Sequence, residues 1–378
     1  MMENLKFKQN EHIGSVNFAS TDKAQSYDMI VFCHLRWQFV YQRPQHIISR
    51  LAKDLKILFI EEPVGFANGE ENTAHLIEVS PQLHVLQPKV KSIKDISNIL
   101  SKYVSDSKIC IGWFYSAAFS VLLPEINFET IIYDCMDELS LFKGAPQELI
   151  DQEKFLISSA DIVFTGGKSL YESKKKMHEN AFCFPSSVDE SHFAKALNGI
   201  DVPADIASIE APIVGYYGVI DERIDMELLK ATAGKSPKIS FVMIGPLAKI
   251  EDRDLPKAAN IHYLGMKSYE ELPGYLKAFD IAMMPFALND STKFISPTKT
   301  LEYMAAGKPI ISTKIKDVVT DYSDCVSLIE NASQFCDAIS KSSVESQENN
   351  VAYKQILANT SWDATVDKMS TIIKKTAL

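Results

Sequence analysis

Phe294-Ile295-Ser296-Pro297-Thr298-Lys299-Thr300-Leu301-Glu302-Tyr303-Met304-Ala305-Ala306-Gly307-Lys308-Pro309-Ile310-Ile311-Ser312 reads as a helix with a marked start and stop, running into a buried strand. Ser296 suits the N-cap, and Pro297 suits the first helical position, where no backbone N–H is needed. Gly307 fits the left-handed turn that ends a helix, and Pro309 prevents continuation. A helix followed at once by an apolar strand is the repeating unit of a parallel α/β sheet.

The helix start also carries candidate chemistry. Its unpaired N–H groups and partial positive charge suit a phosphate. Lys299 adds a full positive charge there, the wrong sign for the helix dipole, and a bound anion would repair the mismatch. Glu302 lies three residues on, on the same face. A carboxylate so placed accepts hydrogen bonds from a sugar diol. A surface salt bridge of about 0.2–0.5 kcal/mol is the plainer alternative, and spacing alone leaves both open.

Outward from this stretch the same alternation recurs. Asp28 to Cys33 is a continuous apolar run, as a fully buried parallel strand would be. Further strands are expected at Lys56 to Ile60, Leu83 to Leu86, Lys108 to Trp113, Thr130 to Tyr133, Asp161 to Thr165 and Ala181 to Phe184, with helices between most of them. Ala194 to Pro212, rich in Gly, Pro and Asp, breaks the pattern, and alternation restarts at Ile213. The expected layout is a polar tail at 1–26, a doubly wound Rossmann-like domain at 27–200, and a second at 212–360. A last helix covers 361–378. The fold class is α/β, with two such domains facing across a cleft. Ligands in these sheets sit beyond the carboxyl ends of the strands.

With 378 residues there is room for two cores. Apolar content of 46% and charged content of 23% are those of an ordinary globular protein. A net charge of −10 argues against nucleic acid as a partner. The Lys174-Lys175-Lys176 run is a candidate local basic patch, although such a run is more often a solvated helix face. Six cysteines form no C-x-x-C pair and fit buried thiols in a reducing compartment. No metal-ligand cluster stands out, and no metal or cofactor is expected. The start lacks the apolar segment of a signal peptide, and no run approaches the roughly 20 apolar residues that span a bilayer. A cytoplasmic location is expected, with contact at a membrane surface left open.

Three strand ends bear chemistry. Gly215-Tyr216-Tyr217-Gly218 lacks the third glycine of a dinucleotide fingerprint, yet its glycines admit a ligand to the backbone. Arg223 just beyond would suit a diphosphate; a tight turn with a surface Arg is the alternative. Asp134, Asp137 and Glu138 cluster at a cleft edge. Asp137 is the candidate general base, because Asp134 adjoins the strand and suits bracing; a capping cluster is the alternative. His34 to His46 is rich in aromatic and hydrogen-bonding groups, as a carbohydrate or phosphate pocket would be, although either histidine alone reads as structural.

Together these stretches resemble bacterial glycosyltransferases of the two-Rossmann-domain (GT-B) type, near glycosyltransferase family 4, over nearly all of the chain after Ser26. The marks are Trp37 with Gln42-Arg43-Pro44-Gln45-His46, the Gly215 to Gly218 turn, Asp280 to Phe286, and Ser296-Pro297-Thr298-Lys299 with Glu302 and Ala305 to Pro309. The resemblance implies a donor site in the second domain: Glu302 on the ribose, Lys299 and Arg223 on the diphosphate, with Gly218, Ser296, Pro297 and Thr298 around them. It places the acceptor in the first domain, near Trp37, Gln42, Arg43 and His46, and packs the helix around Trp362 back on that domain. Two departures stand out. Phe294 occupies the place of a usual first glutamate, and Ser186-Ser187 that of a usual Asn-Gly. The implied activity is metal-independent transfer, of a hexose by expectation, from a nucleotide-sugar to a glycan or lipid-linked acceptor in cell-surface polysaccharide synthesis. A nucleotide-sugar epimerase and a non-catalytic subunit of a polysaccharide assembly complex are the alternatives. The donor base and sugar, the acceptor and the stereochemical course stay open.

Overall fold

The computed structural model describes residues 24–67, 69–138, 146–342 and 349–376. Most of the expected tail, residues 1–23, lies outside them; beyond it, Gln25 makes an isolated parallel bridge to Val104.

The first half carries β1 (Met29–Cys33), β2 (Ile57–Glu61), β3 (Thr73–Ser80), β4 (Leu83–Lys89), β5 (Ile109–Phe114), β6 (Phe128–Cys135), β7 (Ile162–Thr165) and β8 (Ala181–Cys183). They form one sheet in the order β3-β4-β2-β1-β5-β6-β7-β8. β1 and β2 are buried at every position, as apolar runs covered on both faces must be. β3 was not anticipated. It pairs antiparallel to β4 across the two residues 81–82, and its burial is broken rather than continuous. An edge strand with one covered face has no long apolar run to announce it.

The second half carries β9 (Ile213–Tyr217), β10 (Ser240–Ile244), β11 (Ile261–Tyr263), β12 (Ile281–Met284), β13 (Ile310–Thr313) and β14 (Ser327–Ile329). They form a parallel sheet in the order β11-β10-β9-β12-β13-β14. In each sheet the chain reverses its direction of travel beside the opening strand, β1 between β2 and β5, and β9 between β10 and β12. The crevice beyond such a reversal is where ligands bind in open α/β sheets. The His34 to Gln42 loop follows β1, and Gly218 follows β9.

Two connections differ from plain strand-helix alternation. The one from β4 to β5 holds only a 3-10 turn (Ile93–Ile96) and a single α-turn (Ser97–Leu100). The break from Ala194 to Pro212 includes a short helix, Ala204–Ala207, whose Ile206 is fully buried. The closing helix, Trp362–Thr376, presents Trp362, Val366, Met369 and Ile373 on one face at helical spacing. That face enters the apolar core under β1, β2 and the Arg43–Leu51 helix. The Trp362 ring lies parallel to His46, with centroids 4.7 Å apart and 10° between planes. Arg50 adds an ion pair to Asp363 at 3.1 Å. The chain thus crosses from the second sheet back to the first. Among the described residues no helix is long and apolar enough to cross a membrane.

Candidate active site

A cavity lies between the two sheets at their carboxyl ends. Its first-domain wall includes Tyr41, Gln42, Arg43, Asp137, Gly166 and Ser186, and its second-domain wall includes Gly218, Arg223, Gly245, Tyr269, Ser296, Pro297, Thr298, Lys299 and Glu302.

The cationic end is built around a glycine. Gly218 has φ +134, and a Cβ there would stand 2.2 Å from Lys299 Cε and 2.6 Å from Nζ. No side chain fits, so the backbone turn and the lysine share one space. Gly245, φ +144, lies against the same turn: its Cβ would meet the Gly218 carbonyl oxygen at 1.9 Å. The Gly218 N–H donates to the Ile244 carbonyl at 2.8 Å, which fixes the turn to β10. Lys299 Nζ stands 5.6 Å from the centre of the Tyr216 ring, whose face favours a cation. Burial lowers the Lys299 pKa; Glu302 opposes that and Arg223 adds to it. A bound diphosphate would act against that shift, because a nearby negative charge favours the cation.

Arg223 is aimed by Asp221. Its Nε and Nη2 donate to the Asp221 carboxylate at 3.0 and 2.7 Å. Burial works against the Arg223 cation, but the Asp221 hydrogen bonds and charge outweigh it and raise the pKa. Glu302 is buried, and the Tyr217 hydroxyl donates to its Oε2 at 2.5 Å. Burial raises the Glu302 pKa, while Lys299 and Tyr217 draw it back. Tyr217→Phe removes the donor that orients this carboxylate. It is expected to weaken nucleoside diphosphate binding about fivefold, as loss of one hydrogen bond would. Titration calorimetry checks this, and unchanged affinity would remove Tyr217 from the site.

The helix that opened the sequence reading is shorter than expected. It runs Lys299–Ala305, with Thr298 rather than Ser296 at the cap position and no side-chain cap bond. The reason lies in the other domain. Ser186 Oγ donates to the Ser296 carbonyl at 3.0 Å, and Thr298 Oγ1 donates to Ser186 Oγ at 3.0 Å. Seven residues align fewer peptide dipoles than a long helix, so the Lys299 side chain carries more of the positive charge.

In the first domain Asp134 and Asp137 divide as their positions suggest. Asp134 is fully buried and takes a bidentate pair from Arg43, at 3.1 Å to Nε and 2.8 Å to Nη2. Arg43 also donates to the Phe184 carbonyl at 2.7 Å, so it braces the cavity wall from beneath rather than reaching into the space. Asp137 stays on the wall. Burial raises its pKa and Asp221 adds to that, while Arg223 and Lys249 pull it down. Glu138 turns away to Lys174 at 2.8 Å. Gln42 lines the cavity and caps the Arg43–Leu51 helix, its N–H bonded to Gln45 Oε1 at 3.2 Å.

Trp37 and His46 do not reach the cavity wall. Trp37 packs edge-on against Phe59 at 5.0 Å, and its backbone N–H donates to Glu61 Oε1 at 2.8 Å. His46 is buried between Tyr41 and Trp362, and burial pushes its pKa down to about 2, so it stays neutral. Both are packing residues here. An aromatic ring or imidazole finds more contact in the core than at the rim, and their motif spacing could not reveal that. Tyr217, Asp221, Gly245 and Tyr269 were missed as site residues. Gly245-Pro246, just after β10, is a sequence sign that could have found Gly245.

The two walls are clasped together. Asp317 of the second domain accepts from Ser169 Oγ at 2.5 Å and Ser169 N–H at 3.3 Å, at the start of the first-domain helix Lys168–Lys174. A Cβ on Gly167 would come within 2.7 Å of Asp317 Oδ2 and 2.9 Å of Ser296 Cβ. Lys168 and Asp321 form an ion pair beside it.

Fold and site together define a GT-B protein, and comparison with known proteins agrees. Residues 211–343, which span the second sheet, match the family described as Glycosyl transferases group 1. The match does not reach the narrower family 4. Among individual proteins, the chain is 24% identical over 223 residues to a Bacillus subtilis (strain 168) protein named as a candidate teichuronic acid biosynthesis glycosyltransferase, TuaH. That alignment takes in 54% of this chain and 56% of the relative's length. Sucrose-phosphate synthase from Thermosynechococcus elongatus superposes with a TM-score of 0.69 at 14% identity, over 92% of this chain and 98% of that one. An E. coli trehalose-6-phosphate structure bound with UDP-2-fluoro glucose gives a TM-score of 0.64 at 10% identity, over 92% and 98%. At these identities the structural likeness is one of fold.

Proposed function

We propose that this protein moves a sugar, a hexose in the simplest reading, from a nucleotide-sugar to a glycan or lipid-linked acceptor in cell-surface polysaccharide synthesis. One observation carries the reading. Lys299, Arg223, Gly218 and Glu302 converge on a single cavity between the sheets, and Asp137 faces it from the first domain. Glu302 holds the ribose. Lys299 and Arg223 offset the charge that grows on the leaving diphosphate as its bond to the sugar breaks, so the reaction asks no metal ion to do so. Asp137 takes the proton from the acceptor hydroxyl whose oxygen forms the new glycosidic bond. The acceptor enters past Gln42, over the wall that Arg43 braces. Support for the substrate class comes from the relative named for teichuronic acid and the neighbour holding UDP-2-fluoro glucose. A lipid-linked acceptor would bring the protein to the cytoplasmic face of a membrane.

The test is release of nucleoside diphosphate from UDP-, ADP- and GDP-sugars with and without an acceptor panel. Acceptor-dependent release is expected. No release from any donor would defeat the proposal, and isomerisation of a donor without acceptor would replace it with an epimerase.

The pH profile tests the base. Asp137 must be ionised to accept a proton, and burial has raised its pKa. Activity should therefore fall as pH drops, with the midpoint of that limb above the ordinary aspartate value of about 3.9. A flat acid limb down to that value would remove Asp137 from the role.

A further inference from the structure

Tyr269 is held more firmly than a loop residue needs to be. It follows β11, and its ring lies parallel to His192 with centroids 4.2 Å apart and 8° between planes. It stands edge-on to Phe193 at 5.5 Å and tilted against Tyr41 of the first domain at 4.7 Å. His192 Nε2 bonds its backbone carbonyl at 2.9 Å, which fixes the loop as well as the ring. Yet the hydroxyl at the end of this clamped ring is buried without a hydrogen-bond partner. Buried polar atoms are nearly always paired, and the exceptions call for an explanation.

Its surroundings supply one. Tyr269 lines the same cavity as Glu302, and the Glu302 charge acts on its hydroxyl. Tyr217, which occupies Glu302 Oε2, is parallel to Phe193 at 6.3 Å, the ring that Tyr269 meets edge-on. Glu302, Tyr217 and Tyr269 therefore share one part of the cavity lining. A ribose gripped by Glu302 carries two neighbouring hydroxyls, and one carboxylate oxygen is already taken by Tyr217.

We propose that the Tyr269 hydroxyl completes the ribose site, pairing with the 2′-hydroxyl of a bound ribonucleoside diphosphate and so discriminating against the 2′-deoxy form. This rests on the reading of the cavity as a nucleotide-sugar site and names a residue beyond it. The ring clamp makes the hydroxyl rigid, so its pairing loses little entropy on binding.

The experiment is calorimetry of the full chain with UDP, ADP and their 2′-deoxy counterparts. The wild type should prefer the ribose form about tenfold or more. Tyr269→Phe keeps the ring stack and removes one oxygen. It should bring the ratio of ribose to deoxyribose affinities to within about twofold while the melting temperature holds. A purely structural role would weaken both forms alike and leave the ratio unchanged, and that result would overturn the proposal. Should wild type bind neither diphosphate, the nucleotide reading itself fails and this assignment with it. Binding in which wild type does not discriminate overturns the Tyr269 assignment alone.

Discussion

Lys299→Ala is expected to lower turnover by about 10²–10³ while the protein stays folded. That is the usual loss when one preorganised group opposite a growing charge is removed, about 2.7–4 kcal/mol of barrier. The size follows from its surroundings. Lys299 lies against Gly218, where a Cβ would overlap it, and faces the Tyr216 ring. Stability should not suffer, because burial already disfavours this cation and Arg223 adds to that, against support from Glu302 and Asp221. Melting temperature should stay level or rise slightly. Lys299→Arg should rescue little, since a wider guanidinium has no space beside the Gly218 turn. Diphosphate release and thermal unfolding measured on the same preparation check both halves. Wild-type turnover in Lys299→Ala would sink the donor-site assignment.

Asp134→Ala is expected to cost about 3–5 kcal/mol of stability. The carboxylate is wholly buried and holds Arg43 through both oxygens. Burial disfavours the Arg43 cation, but the charge and hydrogen bonds of Asp134 outweigh it and hold its pKa above the ordinary value. Removing the carboxylate leaves a guanidinium in the core with the Phe184 carbonyl as its one remaining named acceptor. Arg43 begins the helix on which Trp362 packs, so the loss should spread to the closing helix. Replacing both partners, Asp134→Leu with Arg43→Met, should recover most of the loss, because an apolar pair leaves no charge stranded. Chemical denaturation checks the series. A single substitution no worse than the double would show that the pair does not bear this load.

How far the sequence could be read depended on how local the cause was. Lys299 and Glu302 share a helix face because of their spacing, and Gly307, at φ +65, ends that helix as expected. The apolar runs of β1, β2 and β9 announced buried strands, and the break near Pro212 separated two sheets. Residues held by distant partners gave no such sign. Ser296 does not cap the helix, because Ser186, 110 residues earlier, holds its carbonyl. His46 matched an acceptor motif, but Trp362 covers it.

What the sequence by itself determined is the alternation of strands and helices, the two-sheet layout and the pairing of a lysine with a glutamate one turn apart. These follow from propensities and periodicities that act over a few neighbouring residues. Only the tertiary structure decided which side chains meet across the cleft: Asp317 on Ser169, Tyr41 on Tyr269, and Asp134 on Arg43 rather than on a substrate. Burial and charge pairing belong to the packed molecule, since they depend on which strands become neighbours and not on which residues adjoin in the chain.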